Sequence, residues 1–223
     1  MEAPLALEAV SPRGGRPSRA QAELIADRIL DAATALFLSE GYGAVTIEQI
    51  AQRARVSKRT LYQRFQGKPP LFGAVLQRLV GRLRPPDIER LFEGPSLRAI
   101  LTRLAERLLD AALVPEAIAL YRLVLAEAAR FPEIALMANQ MGARQEAVER
   151  IAALLLREAK GATARARFAA EQFLQMVIAS PQRRALGLGP PMSAADRRAW
   201  ARETVALFLD GHLGAARAST SRR

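Results

Sequence analysis

The chain has 223 residues, half of them hydrophobic, and a formal net charge of +11. That length suits one large domain or a small and a medium one. With no cysteine there is no disulfide, thiolate chemistry or cysteine-ligated zinc, which fits a cytoplasmic protein.

No uninterrupted apolar run reaches the roughly 18 residues of a membrane span, and no early basic patch precedes an apolar stretch at the N-terminus. Neither a membrane partner nor a signal peptide is therefore expected. The positive charge points towards a polyanion. Its distribution weakens the point, because residues 1–68 carry +3 and residues 69–223 carry +8. Placement of the charge matters more than its total.

Residues 1–17, punctuated by Pro, Gly and Arg, read as a flexible basic arm. From 18 onwards Leu24, Ile25, Ile29, Ala32, Ala33, Leu36 and Phe37 recur at helical spacing, with Gly41 as C-terminal cap. Thr46 and Gln49 form a capping-box pattern that opens a second helix, whose apolar side is Ile47, Ile50, Ala51 and Ala54. Ser57 caps a third short helix, and "QGKPP" breaks it. A fourth helix, 69–84, starts on the prolines and carries Leu71, Phe72, Val75, Leu76, Leu79 and Val80. "RPP" at 84–86 is a boundary. Five further helices follow at 96–113, 115–131, 132–160, 163–180 and 193–213, separated by Gly and Pro punctuation. There is no β-alternation. The fold class expected is all-α, a short-helix N-terminal unit followed by a longer-helix bundle.

The pair "TIEQIAQRARVSKRTLYQRF" has the helix lengths and short joint of a helix-turn-helix. Ala51 and Ala54 permit a close crossing. Val56, Leu61 and Phe65 face inward, which leaves Ser57, Lys58, Arg59, Thr60, Tyr62 and Gln63 on the outer face and first turn. A two-turn helix is marginal alone but stable when packed. Its outer face is then free to enter a major groove about 12 Å wide.

In the final two helices the apolar residues occupy two sides, which calls for burial on two sides. One side faces the chain's own core; the other faces a second subunit or, in the alternative of a central core helix in a monomer, more of the same core. Phe173, Val177, Trp200, Val205, Phe208, Leu209 and His212 are the candidate dimer residues; packing or capping is the alternative for His212. Catalysis finds no support. There is one His, no phosphate-binding glycine loop and no metal-ligand array, and no cofactor is expected. A purely architectural DNA-binding protein would not need the long C-terminal half. A small-molecule pocket between its helices is the economical use, with Leu104, Leu108, Tyr121, Val124, Met137, Met141, Phe173 and Met176 as candidate lining.

The stretch "ILDAATALFLSEGYGAVTIEQIAQRARVSKRTLYQRFQGKPPLFGAV" resembles the DNA-binding domain of the TetR family of bacterial transcriptional regulators. The likeness lies in the helix ending "F…GY", the Thr46 start, "IA…A.VS..TLY..F" and Lys68 before an apolar helix. The C-terminal half is similar in layout to the AcrR/AefR-type branch. The resemblance implies a DNA-binding domain over 18–68, a connecting helix over 69–84, a ligand-binding and dimerisation domain over 85–214 and a flexible tail over 215–223. It implies a homodimer that represses from a double-stranded, pseudo-palindromic operator until a small apolar effector releases it. Thr46, Thr60, Tyr62 and Lys68 would contact phosphates, and Ser57 would cap and touch backbone. Lys58 and Arg59 would read base edges, Gln63 a base or phosphate, and Arg13 and Arg16 a neighbouring minor groove. One departure stands out. Arg55 occupies the turn position where the family usually has Gly, at a cost of about 1–2 kcal/mol if φ is positive there.

Overall fold

The computed structural model describes residues 19–84, 88–140, 143–159 and 163–220. The helices run α1 Arg19–Glu40, α2 Ile47–Ala54, α3 Lys58–Phe65, α4 Lys68–Leu83, a 3-10 turn Glu89–Phe92, α5 Leu97–Ala112, α6 Pro115–Glu127, α7 Pro132–Gln140, α8 Ala143–Ala159, α9 Thr163–Ala185 and α10 Ala194–Thr220. The fold is all-α, with no strand among the described residues.

Two apolar clusters organise these helices. The first joins Ile29, Leu36 and Phe37 of α1, Ile50 of α2, Leu61 of α3 and Leu71, Phe72, Val75 and Leu76 of α4. Leu123 of α6 and Ile134 of α7 complete it, so it draws side chains from well beyond residue 68. The second cluster is built by α5, α8, α9 and α10 around Leu101, Leu109, Ile151, Phe173, Val177 and Val205. The connecting helix α4 is therefore a core element of the N-terminal unit along its inner face.

Three helix boundaries differ from the sequence expectation. The stretch 132–160 is two helices, α7 and α8, with residues 141 and 142 outside the described set. They serve different cores: α7 packs on α4 and α6, whereas α8 packs on α9. Uninterrupted helical periodicity cannot reveal such a change of partner. At the other end, α10 continues to Thr220, into the stretch expected as a tail.

The third difference is α9, which passes through Pro181 to Ala185 instead of stopping near residue 180. Proline in a helix interior removes the N–H due to the carbonyl four residues back, here that of Val177. The structure supplies a substitute, because Trp200 Nε1 donates to Val177 O at 3.0 Å. A break signal in the sequence is thus neutralised by a tryptophan from the next helix, which pins α10 to α9 in the same contact.

Candidate nucleic-acid interface and the cavity behind it

The turn between α2 and α3 is fixed at both ends by local chemistry. Thr46 Oγ1 accepts from the Gln49 N–H at 3.2 Å, and Gln49 Oε1 accepts from the Thr46 N–H at 2.7 Å. This capping box starts α2. At its far end Arg55 adopts φ 53°, ψ 48°. The Val56 N–H donates to Ala51 O at 3.0 Å and the Arg55 N–H to Gln52 O at 3.1 Å. These are the paired bonds of a Schellman ending, in which the left-handed residue is usually Gly. Arg55 holds that conformation through two backbone bonds, without the permissiveness of glycine.

Ser57 then caps α3. Its Oγ accepts from the Thr60 N–H at 3.0 Å and lies 2.8 Å from Thr60 Oγ1. The two hydroxyls share one hydrogen bond, so one hydroxyl hydrogen is left over for an acceptor outside the protein. Leu61 is fully buried, and Val56 and Phe65 pack against the same cluster. Arg64 adds an anchor the sequence reading did not assign, its Nη2 donating to the Ala22 carbonyl of α1. The inner face and Arg64 hold the helix. Lys58, Arg59, Tyr62 and Gln63 remain exposed, Tyr62 by 50%.

These four are not equivalent. Arg59 and Gln63 have no side-chain partner among the described residues. Lys58 forms an ion pair with Glu48 in the first turn of α2. The Lys58 hydrogen bond is the main reason the Glu48 carboxyl lies below its ordinary range. A base contact by Lys58 has to compete with that carboxylate. The sequence signal for this was slight: one acid at a helix start, ten residues before a lysine.

Lys68 differs again. It is half-buried, its Nζ donating to Gly43 O at 3.3 Å and lying 4.5 Å from the centre of the Tyr42 ring. Burial pulls its pKa below the ordinary lysine value, opposed by the charges of Glu127 and Glu133. Around it, Glu127 Oε1 accepts from the Gly43 N–H at 3.2 Å, and the Tyr42 and Phe131 rings meet edge-on at 5.1 Å. The Tyr42 hydroxyl is pushed up to about 12 by burial and then by the neighbouring, hydrogen-bonded Glu133. Lys68 is therefore a member of a contact between the α1–α2 loop and the α6–α7 end of the bundle. Arg13 and Arg16 lie outside the described residues.

At the other end of α4 is a cavity of about 370 Å³ between α4, the 3-10 turn, α5, α6, α8 and α9. Such a volume lies within the range of small-molecule sites, roughly 300–1,000 Å³. Of the candidate lining residues, Leu104 and Leu108 are on its wall. The others are elsewhere. Val124 and Met137 pack against the N-terminal cluster, Phe173 is fully buried in the C-terminal one, Met176 packs beside it, and Tyr121 is half-buried off the cavity. Met141 lies outside the described residues. Hydrophobic periodicity marks what is apolar but not whether the space in front of it is filled.

The candidate dimer residues need a similar correction. Phe173, Val177, Val205, Phe208 and Leu209 are all within the chain's own C-terminal core. Trp200 is occupied by the Val177 carbonyl, and the His212 side chain is outside the described set. Among the described residues, the large apolar side chains that the last two helices leave in solvent are Phe168 on α9 and Leu207 on α10, exposed by 62% and 67%. With apolar residues on two sides of a helix, periodicity alone could not say which side was inner.

A capped two-helix unit with a cationic, hydroxyl-bearing outer face, carried on a larger helical bundle with its own cavity, defines a helical DNA-binding regulator. The sequence matches agree. Residues 29–75 match the profile of bacterial regulatory proteins of the tetR family, and residues 99–211 that of the AefR-like transcriptional repressor C-terminal domain. The chain belongs to the TetR family and is a DNA-binding transcriptional regulator.

Among curated relatives it is 43% identical over 74 residues to the HTH-type transcriptional activator FasR of Mycolicibacterium smegmatis, a match covering 32% of this chain and 34% of that one. It is 39% identical over 61 residues to the HTH-type transcriptional regulator SrpR of Pseudomonas putida, covering 27% and 29%. The chain thus spans about a third of the length of the curated relatives it matches. Among solved structures, a TetR-family regulator from Mesorhizobium loti superposes with a TM-score of 0.70 at 28% identity, over 86% of this chain and 98% of the other. The flavonoid-responsive regulator FrrA superposes at 0.64 and 28% identity, over 84% and 96%.

Proposed function

We propose that the protein is a cytoplasmic homodimeric repressor, released from a pseudo-palindromic operator by a small, largely apolar effector. The observation that carries this reading is the position of α4. Its first residue, Lys68, belongs to the contact around Gly43 and Glu127, and its last turn, with Val80, Leu83 and the following Arg84, forms a wall of the cavity. At 16 residues it spans about 24 Å. A ligand that prefers one position of the α4 end changes operator affinity by that difference in affinity and no more.

In this reading Arg59 reads a base edge, Gln63 reads a base or phosphate, and Thr46, Tyr62 and the Ser57–Thr60 pair seat the helix on phosphates. Lys58 joins them once released from Glu48. Lys68 acts mainly as a positioning residue at the head–bundle contact. The dimer forms across α9 and α10, where Phe168 and Leu207 bury their exposed surface, and it places two copies of α3 about one helical turn of DNA, roughly 34 Å, apart. The AefR-like repressor match over residues 99–211 favours repression. Sedimentation of the full chain with and without a selected DNA duplex tests the assembly. Two chains per duplex, with a dimer persisting in its absence, is the expected result. A monomer at micromolar concentration that binds one half-site would overturn the dimer.

A further inference from the structure

The cavity has an apolar interior and a charged rim of one prevailing sign. Leu83, Ile88, Phe92, Leu104, Leu108 and Ile151 are among the walls. The charged lining among the described residues is Arg84, Arg107 and Arg150 against one carboxylate, Glu146. That carboxylate is shared: its Oε1 accepts from Arg84 Nη2 at 2.5 Å and from Arg150 Nε at 3.1 Å. Arg150 turns its remaining reach outward, Nη1 to Glu89 Oε1 at 2.8 Å. Arg107 has no ion-pair partner among the described residues. Even with Glu89 included, guanidiniums outnumber carboxylates. Arginine keeps its proton at any working pH, so the excess is permanent.

Taking the cavity as the effector site, as in the reading above, we propose that the effector is an amphiphilic anion. It has an apolar body filling the cavity and a single carboxylate-like head that docks on Arg84, Arg107 and Arg150. Guanidinium is the side-chain group that matches a carboxylate with two parallel hydrogen bonds. A cationic amphiphile meets a net excess of like charge, and a neutral one leaves that excess unmatched. The head competes with Glu146 for Arg84. Arg84 is the residue that ends α4, whose other end carries Lys68, so capture of the anion acts directly on the helix joining cavity to DNA head.

The test is calorimetric titration of the full chain with three probes of equal length: decanoate, decanol and decylammonium. Decanoate should bind at least about tenfold more tightly than decanol, the worth of one charge-assisted hydrogen bond, and decylammonium should not bind. Arg107→Gln should weaken decanoate by about tenfold without changing decanol. Glu146→Gln, which removes the competing carboxylate, should tighten decanoate. Arg98→Gln alters an exposed arginine of α5, the helix of Arg107, outside the cavity and should change nothing, which separates cavity binding from adsorption to a cationic surface. Decanol binding as tightly as decanoate, a preference for decylammonium, equal effects of Arg98→Gln and Arg107→Gln, or silence of all three probes would each overturn the proposal. DNA binding by the same sample distinguishes a wrong ligand class from a wrong assignment as a regulator.

Discussion

Replacing Trp200 by Phe removes a donor and strands an acceptor. The Val177 carbonyl has lost its ordinary partner to Pro181 and receives Trp200 Nε1 at 3.0 Å. A partly buried carbonyl left unsatisfied costs about 1–3 kcal/mol. The ring's packing and its stacking under Arg184, at 5.7 Å, add a smaller loss. A second substitution, at Pro181, separates the carbonyl from the ring packing. In a Pro181→Ala background residue 181 regains an N–H that can serve Val177, so Trp200→Phe should cost about 1 kcal/mol less there. Urea unfolding followed by far-ultraviolet circular dichroism, at one fixed protein concentration so that association does not intrude, completes the cycle. Equal costs of Trp200→Phe in both backgrounds would refute the carbonyl argument and leave only ring packing.

Three other outcomes follow from the interface. Arg59→Ala should weaken binding to a selected operator by about 1–3 kcal/mol and relax preference at one base pair, with unchanged melting, since the side chain is exposed and unpaired; fluorescence anisotropy on single-base operator variants measures it. Glu48→Gln frees Lys58 and removes a negative charge beside the DNA face. Binding should tighten and its salt dependence steepen by about 0.9 for one added phosphate contact, and weaker binding would instead make Glu48 a positioning group for Lys58. The raised Tyr42 pKa, about 12 against an ordinary 10.0, gives stability that is fully present below pH 10.0 and lost as pH rises through about 12. Tyr42→Phe should flatten that alkaline loss, read as urea midpoints compared across the same window.

The N-terminal unit was legible because each of its local signals agrees with its packing. Thr46 with Gln49, and Ser57 before Lys58, mark helix starts through side chains that bond their own backbone. Leu61 and Phe65, four apart, mark the inner face of α3. Arg55 was legible as a conflict, and the conflict is real: the left-handed conformation is kept and an arginine occupies it.

What escaped the sequence depends on contacts distant along the chain. Glu48 and Lys58 are on different helices, and nothing in either segment announces the pair. Lys68 looks like a free cation at a helix start, yet Gly43, Tyr42, Glu127 and Glu133 surround it from three separate stretches. A β-carbon on Gly43 would fall 2.9 Å from the Phe131 ring, so that glycine serves close approach of the bundle to the head. In the C-terminal half the apolar pattern found the helices but not their inner sides. The pattern marks Phe173, Val205 and Phe208 as apolar, and only the packing shows that they fill the chain's own core. Pro181 read as a stop because the compensating donor, Trp200, is on the following helix.

The claim that α3 reads DNA is tested most directly by selecting bound duplexes from a random pool with the full chain and with Arg59→Ala in parallel. The account predicts that the parent chain enriches a pseudo-palindrome with half-sites about one helical turn apart, and that the variant loses preference at one symmetric base pair while keeping the rest of the motif. A pool left unenriched by the parent chain, or an identical motif from both proteins, would contradict it.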